Sequence, residues 1–440
     1  MPGSGPAWSA VCVPKARPFS IVVLGDFVGA DQRREVSTGI DLDTCESFLG
    51  AFQPHLEIGL PFCGALDLAS AAQLHPDALC SLVHGLSALV EARSEAHDPR
   101  RMADLAAEAG AVLRLDTSPA SANPPRERSA ASSDRALLDD LLGSSRRAEA
   151  DPVRRLARSL GEAASDRGDH AATERRRAAI DAELNARLRA LLSHPELRRL
   201  EALCLGLREL ARAAPDPERV KIRAVHAPAA ALELAKSELS GASFLIAAHG
   251  FGSDESGLAQ LRALARLAEA AGVGALASVD PRAFATGGFR GEEWEKLRAD
   301  AAAKQIGLCH PRVLARLPYG AATEPIESFR FEELTAESDA NSFVWCDGAL
   351  AAARALARCV TETGDTHELS RFLILDGLPC YAGAAATGLP ERGPTDESLS
   401  EREADALVAR GLNPLVAMRG SDRARLQAFR ALDGSSLFAR

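Results

Sequence analysis

Between Val220 and Val279 three short apolar runs alternate with two stretches of helical periodicity, and this alternation constrains the fold more than any other feature. Residues 220–225 (VKIRAV), 244–248 (FLIAA) and 274–279 (GALASV) have the length and composition of short buried strands. Ala229 to Leu239 and Leu258 to Ala271 carry the helical spacing between them. Strands that alternate with helices imply a parallel, doubly wound sheet, so the expected class is α/β.

The flanking segments extend this pattern. Residues 19–28 (FSIVVLGDFV) read as a buried strand that Gly25 and Gly29 turn into a loop. Asp41 to Phe52 is expected to be a short helix capped by Asp43 or Thr44. His55 to Phe62 places Leu56, Ile58 and Leu60 at period two, a half-buried strand. Pro76 to Ala96 is expected as one helix, which makes residues 1–115 a small α+β domain. Residues 116–135 are rich in Ser, Ala and Pro and form a linker by composition. The amphipathic stretch 135–143 lies inside a linker region that extends to 178, whose Arg-rich end is a solvated helix or disorder. From Ala179 to Ala213 two helices are expected, the second opened by Pro195. Trp294 to Lys304 and Ser342 to Glu362 complete the helices, and Arg371 to Leu375 is the last expected strand. Residues 179–440 thus make the second, doubly wound domain.

Composition narrows the function. At about 150 residues per domain, 440 residues allow two to four domains. The 46% hydrophobic and 25% charged fractions exclude a chain disordered throughout. The net charge of −10 and the 5% aromatic content argue against nucleic-acid binding. No apolar run approaches the ~20 residues of a membrane span, and Met1 to Pro6 lack a signal-peptide pattern. A cytoplasmic protein without membrane insertion is expected. Nine cysteines without a C-x-x-C pair point to reduced, mostly buried thiols.

Catalytic and metal patterns are weak. Gly272, Gly274 and Ala277 form G-x-G-x-x-A, but they lead from a helix into a strand, the reverse of a dinucleotide site. His249, with Ser253, Asp254 and Ser256 nearby, follows a strand end, where α/β sites sit. Gly250, Gly252 and Gly257 make the same segment an ordinary turn, and triad partners usually come from separate loops. His310 beside Cys309 has no second pair at metal spacing. Asp41 and Asp43 are simpler as helix caps than as a catalytic pair. No catalytic residue, cofactor or metal is expected. The leucines 137, 138, 141 and 142 lie on one helical side, suited to a core or to a partner groove.

Several motifs in one order carry a family resemblance. Residues 18–27 (PFSIVVLGDF), containing Phe19, Gly25 and Asp26, resemble the opening strand of the small sheath subunit of type VI secretion systems (TssB, VipA). Residues 40–48, 61–67 and 75–77 follow as looser matches. From residue 194 the chain resembles the large sheath subunit (TssC, VipB). HPELRRLEALCLGL, with Glu201 and Gly206, comes first, and WEKLR, with Trp294 and Arg298, follows. IGLCHPRVLARLPYG then contains Pro311, Arg312, Arg316, Pro318 and Tyr319. FRFEE (329–333), FVWCDGA with Trp345, and the segments around 411–429 come next, in family order.

The resemblance implies a natural fusion of small and large sheath subunits that lacks the usual C-terminal part of the large one. The implied role is non-catalytic: a protomer of a contractile helical sheath, joined to its neighbours by exchanged strands. Implied partners are other sheath protomers, an inner tube, a baseplate and a ClpV-like AAA+ unfoldase. That unfoldase would grip Leu137, Leu138, Leu141 and Leu142. The alternatives are a non-polymerising cap, nucleator or baseplate adaptor, and a hydrolase-like enzyme built on His249.

Overall fold

The computed structural model describes residues 17–29, 36–110, 152–285, 288–383 and 392–438, the helix over 152–169 by its backbone alone. The chain runs through β1 (Phe19–Gly25), β2 (Ser37–Ile40), the single turn α1 (Leu49–Phe52), β3 (His55–Leu60), β4 (Cys63–Asp67) and α2 (Pro76–Leu82). Helices α3 (His84–Ser94), α4 (Pro99–Glu108), α5 (Pro152–Leu192) and α6 (Pro195–Ala213) follow. Next come β5 (Val220–His226), β6 (Phe244–Phe251), α7 (Glu255–Ala271), β7 (Gly274–Val279), α8 (Arg282–Ala285), α9 (Glu292–Ala299) and β8 (Ile306–His310). The C-terminal part holds β9 (Val313–Leu314), β10 (Trp345–Cys346), α10 (Gly348–Thr363), β11 (Ile374–Leu375), α11 (Glu401–Ala409), β12 (Leu412–Ala417) and β13 (Ala424–Leu426).

The described residues fall into two compact units: those up to Val83 together with those from Arg187 onward, and those between His84 and Ala186. The first is built on a nine-stranded sheet in the order β11-β13-β12-β8-β7-β6-β1-β5-β2. Strands β12, β8, β7, β6, β1 and β5 are parallel, while β2, β13 and β11 close the edges in antiparallel pairing. β1 lies between two strands that come some 200 residues later, with Ile21 opposite both Ile222 and Phe244. The apolar run explains the position: a strand buried on both faces belongs at the centre of a covered sheet. Val22 and Leu24 face a core with Leu245, Leu258, Leu261 and Leu264, and α10 packs on the other face against β6, β7 and β8.

The second unit carries Leu86, Leu89, Met102, Leu105, Ile180 and Leu184 as buried side chains. Arg93 and Asp181 pair in it at 2.5 Å.

The elements differ from expectation where local polar groups override periodicity. Asp41 accepts from the amides of Asp43 and Thr44, so 41–48 is a series of turns and only α1 is helical. The expected helix 76–96 breaks at Val83, which is extended. Ala229–Leu239 is 3-10 helix interrupted at Ala231, where φ is −143°. Residues 342–362 divide into β10 and α10, since the Trp345 indole donates to Ala340 O at 2.8 Å and holds the chain extended before the helix. The segment 371–375 supplies only the edge strand β11, with Ile374 46% exposed, and β12 and β13 come after it. Helix α5 begins at Pro152, inside the expected linker. β1, from the N-terminal segment, belongs to the same sheet as β5 and β6 of the later segment.

Candidate functional site

Three of the sequence motifs, 194–207, 306–320 and 329–333, meet in one buried charge cluster. Helix α6 buries Glu201, which precedes the also buried Gly206 on the same helix. The segment after β9 brings in Arg316, and residues 329–334 bring in Glu333. Arg316 Nε donates to Glu201 Oε1 at 2.6 Å, and Nη2 to Oε2 at 3.3 Å. Nη1 donates to Glu333 Oε2 at 2.7 Å, and Nη2 to Oε1 at 3.0 Å. The Tyr319 amide also donates to Glu333 Oε2, at 2.8 Å, and the Tyr319 ring lies 4.1 Å from the guanidinium carbon. The side chains of Arg316, Glu201 and Glu333 are 7%, 5% and 4% exposed.

The electrostatics follow from that burial. Desolvation opposes the charge on Arg316, but Glu201 and Glu333 outweigh it and hold the guanidinium well above its usual pKa. Desolvation pushes Glu201 up, against the pull of Arg316. Burial also pushes the Tyr319 phenol up. The fork geometry uses Arg316 on protein carboxylates and the Leu317 carbonyl, which makes the cluster a joint between α6 and two loops. Two further contacts brace it. His75 stacks edge-on against Tyr319, and Asp77 accepts from Glu327 N, Ser328 N and the Ser328 hydroxyl.

The other motif residues also hold structure together. Phe19 is buried in β1. A Cβ at Gly25 would stand 2.9 Å from Leu203 Cδ2, and one at Gly206 would stand 2.6 Å from Cys346 Sγ. Asp26 accepts from Gly29 N and pairs with Arg199 at 3.2 Å. The Trp294 indole donates to Arg410 O, and Arg298 donates to Leu432 O. Pro311 follows a cis peptide, and Arg312 binds Asp396 through its amide and Nε. The Pro318 carbonyl accepts from Thr323 Oγ1. Sequence reasoning gave no role to Glu333 or Asp77. The signal at Glu333 was its place in the segment FRFEE, where exposed Glu332 precedes it and buried Leu334 follows. Leu137, Leu138, Leu141 and Leu142 lie outside the described residues.

The carboxyl ends of β6 and β7 border a second feature, a cleft of about 640 Å³ that includes His249. The His249 Nε2 donates to Ala227 O at 2.8 Å, and desolvation pushes the imidazole down to about 4, so it is neutral at pH 7. Ser253 donates elsewhere, to Ala283 O, and Asp254 caps α7 through Gly257 N. His249, Ser253 and Asp254 therefore do not form a nucleophile-base relay. His310 contacts Glu397 at 3.1 Å, and Cys309 is buried with its thiol pushed up by desolvation. Among the described residues no three His, Cys, Asp or Glu converge at metal spacing, and no helix is long and apolar enough to cross a membrane.

The motif residues of this covered parallel sheet are engaged in internal joints. Residues 290–433 match the family described as VipB, EvpB/VC_A0108, tail sheath N-terminal domain. The chain is 25% identical over 291 residues to the type VI secretion system sheath protein TssC1 of Pseudomonas aeruginosa, covering 56% of this chain. It spans 58% of that relative's length.

Proposed function

We propose that this chain is a non-catalytic component of a type VI contractile sheath in which a small-subunit-like segment is fused to a large-subunit-like one. The observation that carries the reading is the tail-sheath match over residues 290–433, which contains Trp294, Arg298, Arg316, Tyr319 and Glu333. The place of β1 in the sheet supports the fusion: the segment with the small-subunit motif builds the same sheet as the segment with the large-subunit motifs. The proposed mechanism is mechanical, with rigid protomers that rotate against one another between an extended and a contracted helical state. Other sheath protomers are the proposed principal partners. An inner tube, a baseplate and a ClpV-like unfoldase acting on Leu137, Leu138, Leu141 and Leu142 complete the proposal, in a cytoplasmic setting.

Negative-stain microscopy after size-exclusion chromatography, at several salt concentrations and with companion sheath components, tests it. Tubes or rings support a polymerising protomer. Monodisperse particles under every condition reject polymerisation and turn the reading to a cap, nucleator or baseplate adaptor.

A further inference from the structure

The cleft at the carboxyl edge of the sheet has a chemistry that the sheath role does not use. Its wall carries Arg198, Arg199, Arg282 and Arg312 against Asp280 and Asp347. Four arginines and two aspartates thus line the cleft of a chain whose net charge is −10. Three of the four are paired: Arg199 with Glu196 and Asp26, Arg282 with Asp280, and Arg312 with Asp396.

Arg198 differs. Among the described residues no carboxylate lies within ion-pair distance of it. Its Nε, Nη1 and Nη2 donate to the carbonyls of Leu192, Asn341 and Ser342, which fixes the plane of the guanidinium. A guanidinium has five N–H donors, so donors remain for a ligand. Desolvation lowers the pKa of Arg198 more than the pull of Glu333 raises it. A partly buried cation without a carboxylate in direct contact carries a desolvation cost, and an anion in the cleft would relieve it. The position agrees, since open α/β sheets bind ligands outside the carboxyl ends of their strands.

We propose that this cleft binds a phosphate-bearing small molecule, its anionic group seated on Arg198 and its entry guarded by Arg282. The Arg282 side chain is 90% exposed, so it meets a ligand on approach. Asp347, ahead of α10, borders the same space and opposes an anion while ionised. Desolvation pushes its carboxyl up to about 6, against the pull of Arg312 and Arg199, and Asp280 adds to the rise. The inference rests on the cleft alone and stands or falls separately from the sheath proposal.

Isothermal titration of the full chain with sodium pyrophosphate and with ATP, at constant ionic strength, tests it. The wild type binds with a Kd below about 1 mM. Arg198→Gln weakens binding by ~10-fold or more, the scale of one lost charge-assisted contact. Arg282→Gln weakens it by roughly 3-fold, as fits an exposed charge, and Asp347→Asn tightens it. If Arg198→Gln fails to fold, the other two variants carry the test, because neither removes a buried hydrogen bond. Tighter binding of ATP assigns a nucleotide, and equal binding assigns the inorganic anion class; both support the proposal. No saturable heat from either probe, or one unchanged Kd across all folded variants, overturns it.

Discussion

Arg316 Nε reaches Glu201 Oε1 at 2.6 Å from 115 residues away in sequence, with both side chains almost fully buried. The same guanidinium serves Glu333, so one cation holds two carboxylates at the junction of α6 with the loops that follow β9. Removing it leaves two buried acids without their counter-ion. Arg316→Met is therefore expected to cost about 3–5 kcal/mol, the range for breaking a buried pair from one side. Replacing all three residues with apolar ones of similar volume should recover much of the loss. Urea unfolding of wild type, single and triple variants measures this. A single variant within 1 kcal/mol of wild type, by the same roughly estimated scale, would refute the account.

Asp77 gives the fold a dependence on acid. Burial alone raises its pKa, but the Ser328 hydroxyl and the amides of Glu327 and Ser328 more than offset that, leaving the carboxyl below its ordinary 3.8. A depressed folded-state pKa contributes stability above the unfolded value and loses it as pH falls through the folded one. Asp77→Asn should thus destabilise by about 1–2 kcal/mol at pH 7, the scale of hydrogen bonds to a charged group. The gap to wild type should close below about pH 4. Urea midpoints of the two proteins across a pH series decide it. A gap that stays constant down to the lowest pH at which both remain folded contradicts the assignment.

Gly206 sets how closely α6 approaches α10. A Cβ there would stand 2.6 Å from Cys346 Sγ and 2.8 Å from Leu350 Cδ1, both under ordinary contact. Overpacking of this kind costs typically 1–3 kcal/mol. Gly206→Ala should lose some of that, moderated by the better helix propensity of alanine, ~1 kcal/mol. Gly206→Val should lose more. Cys346→Ala removes the nearest clashing atom, so combining it with Gly206→Ala should cost less than the two changes summed. Additive costs in a double-mutant cycle would show that the contact does not govern the position.

How much of this was legible in the sequence depends on whether the cause was local. The alternation from 220 to 279 appeared as β5, β6, α7 and β7, since strand burial and helical period act over a few residues. The apolar run at 19–25 announced a buried strand but not its neighbours. Pairing is non-local, and nothing in FSIVVLG names Val220 or Phe244 as partners. The short strands β9, β10 and β11 carry too few residues for a period. The break at Val83 and the turns set by Asp41 depend on backbone hydrogen bonds that hydrophobic spacing does not encode. At the buried cluster, Glu201, Arg316 and Tyr319 were singled out by resemblance to family motifs. Their meeting with Glu333 was invisible, because a buried acid in sequence looks like any surface acid.

The position of β1 makes the chain's covalent continuity testable. Seven residues of β1 pair in register with β5 and four with β6, so this strand fills the middle of the sheet. Phe19, Ile21, Val22, Val23 and Leu24 are all fully buried there. At about 25 cal/mol per Å² of apolar surface, each buried side chain contributes on the order of 1.5–3 kcal/mol that separation would forfeit. A protease site placed between residues 116 and 135 should therefore give two fragments that stay together. Size-exclusion chromatography of the cleaved protein should show one peak containing both, and mild urea should dissociate and unfold them in one transition. Fragments that separate in native buffer, each with native circular dichroism, would mean that β1 is dispensable to the sheet. Val22→Asp serves as the control, since an unpaired charge in the sheet core should release the N-terminal fragment after cleavage.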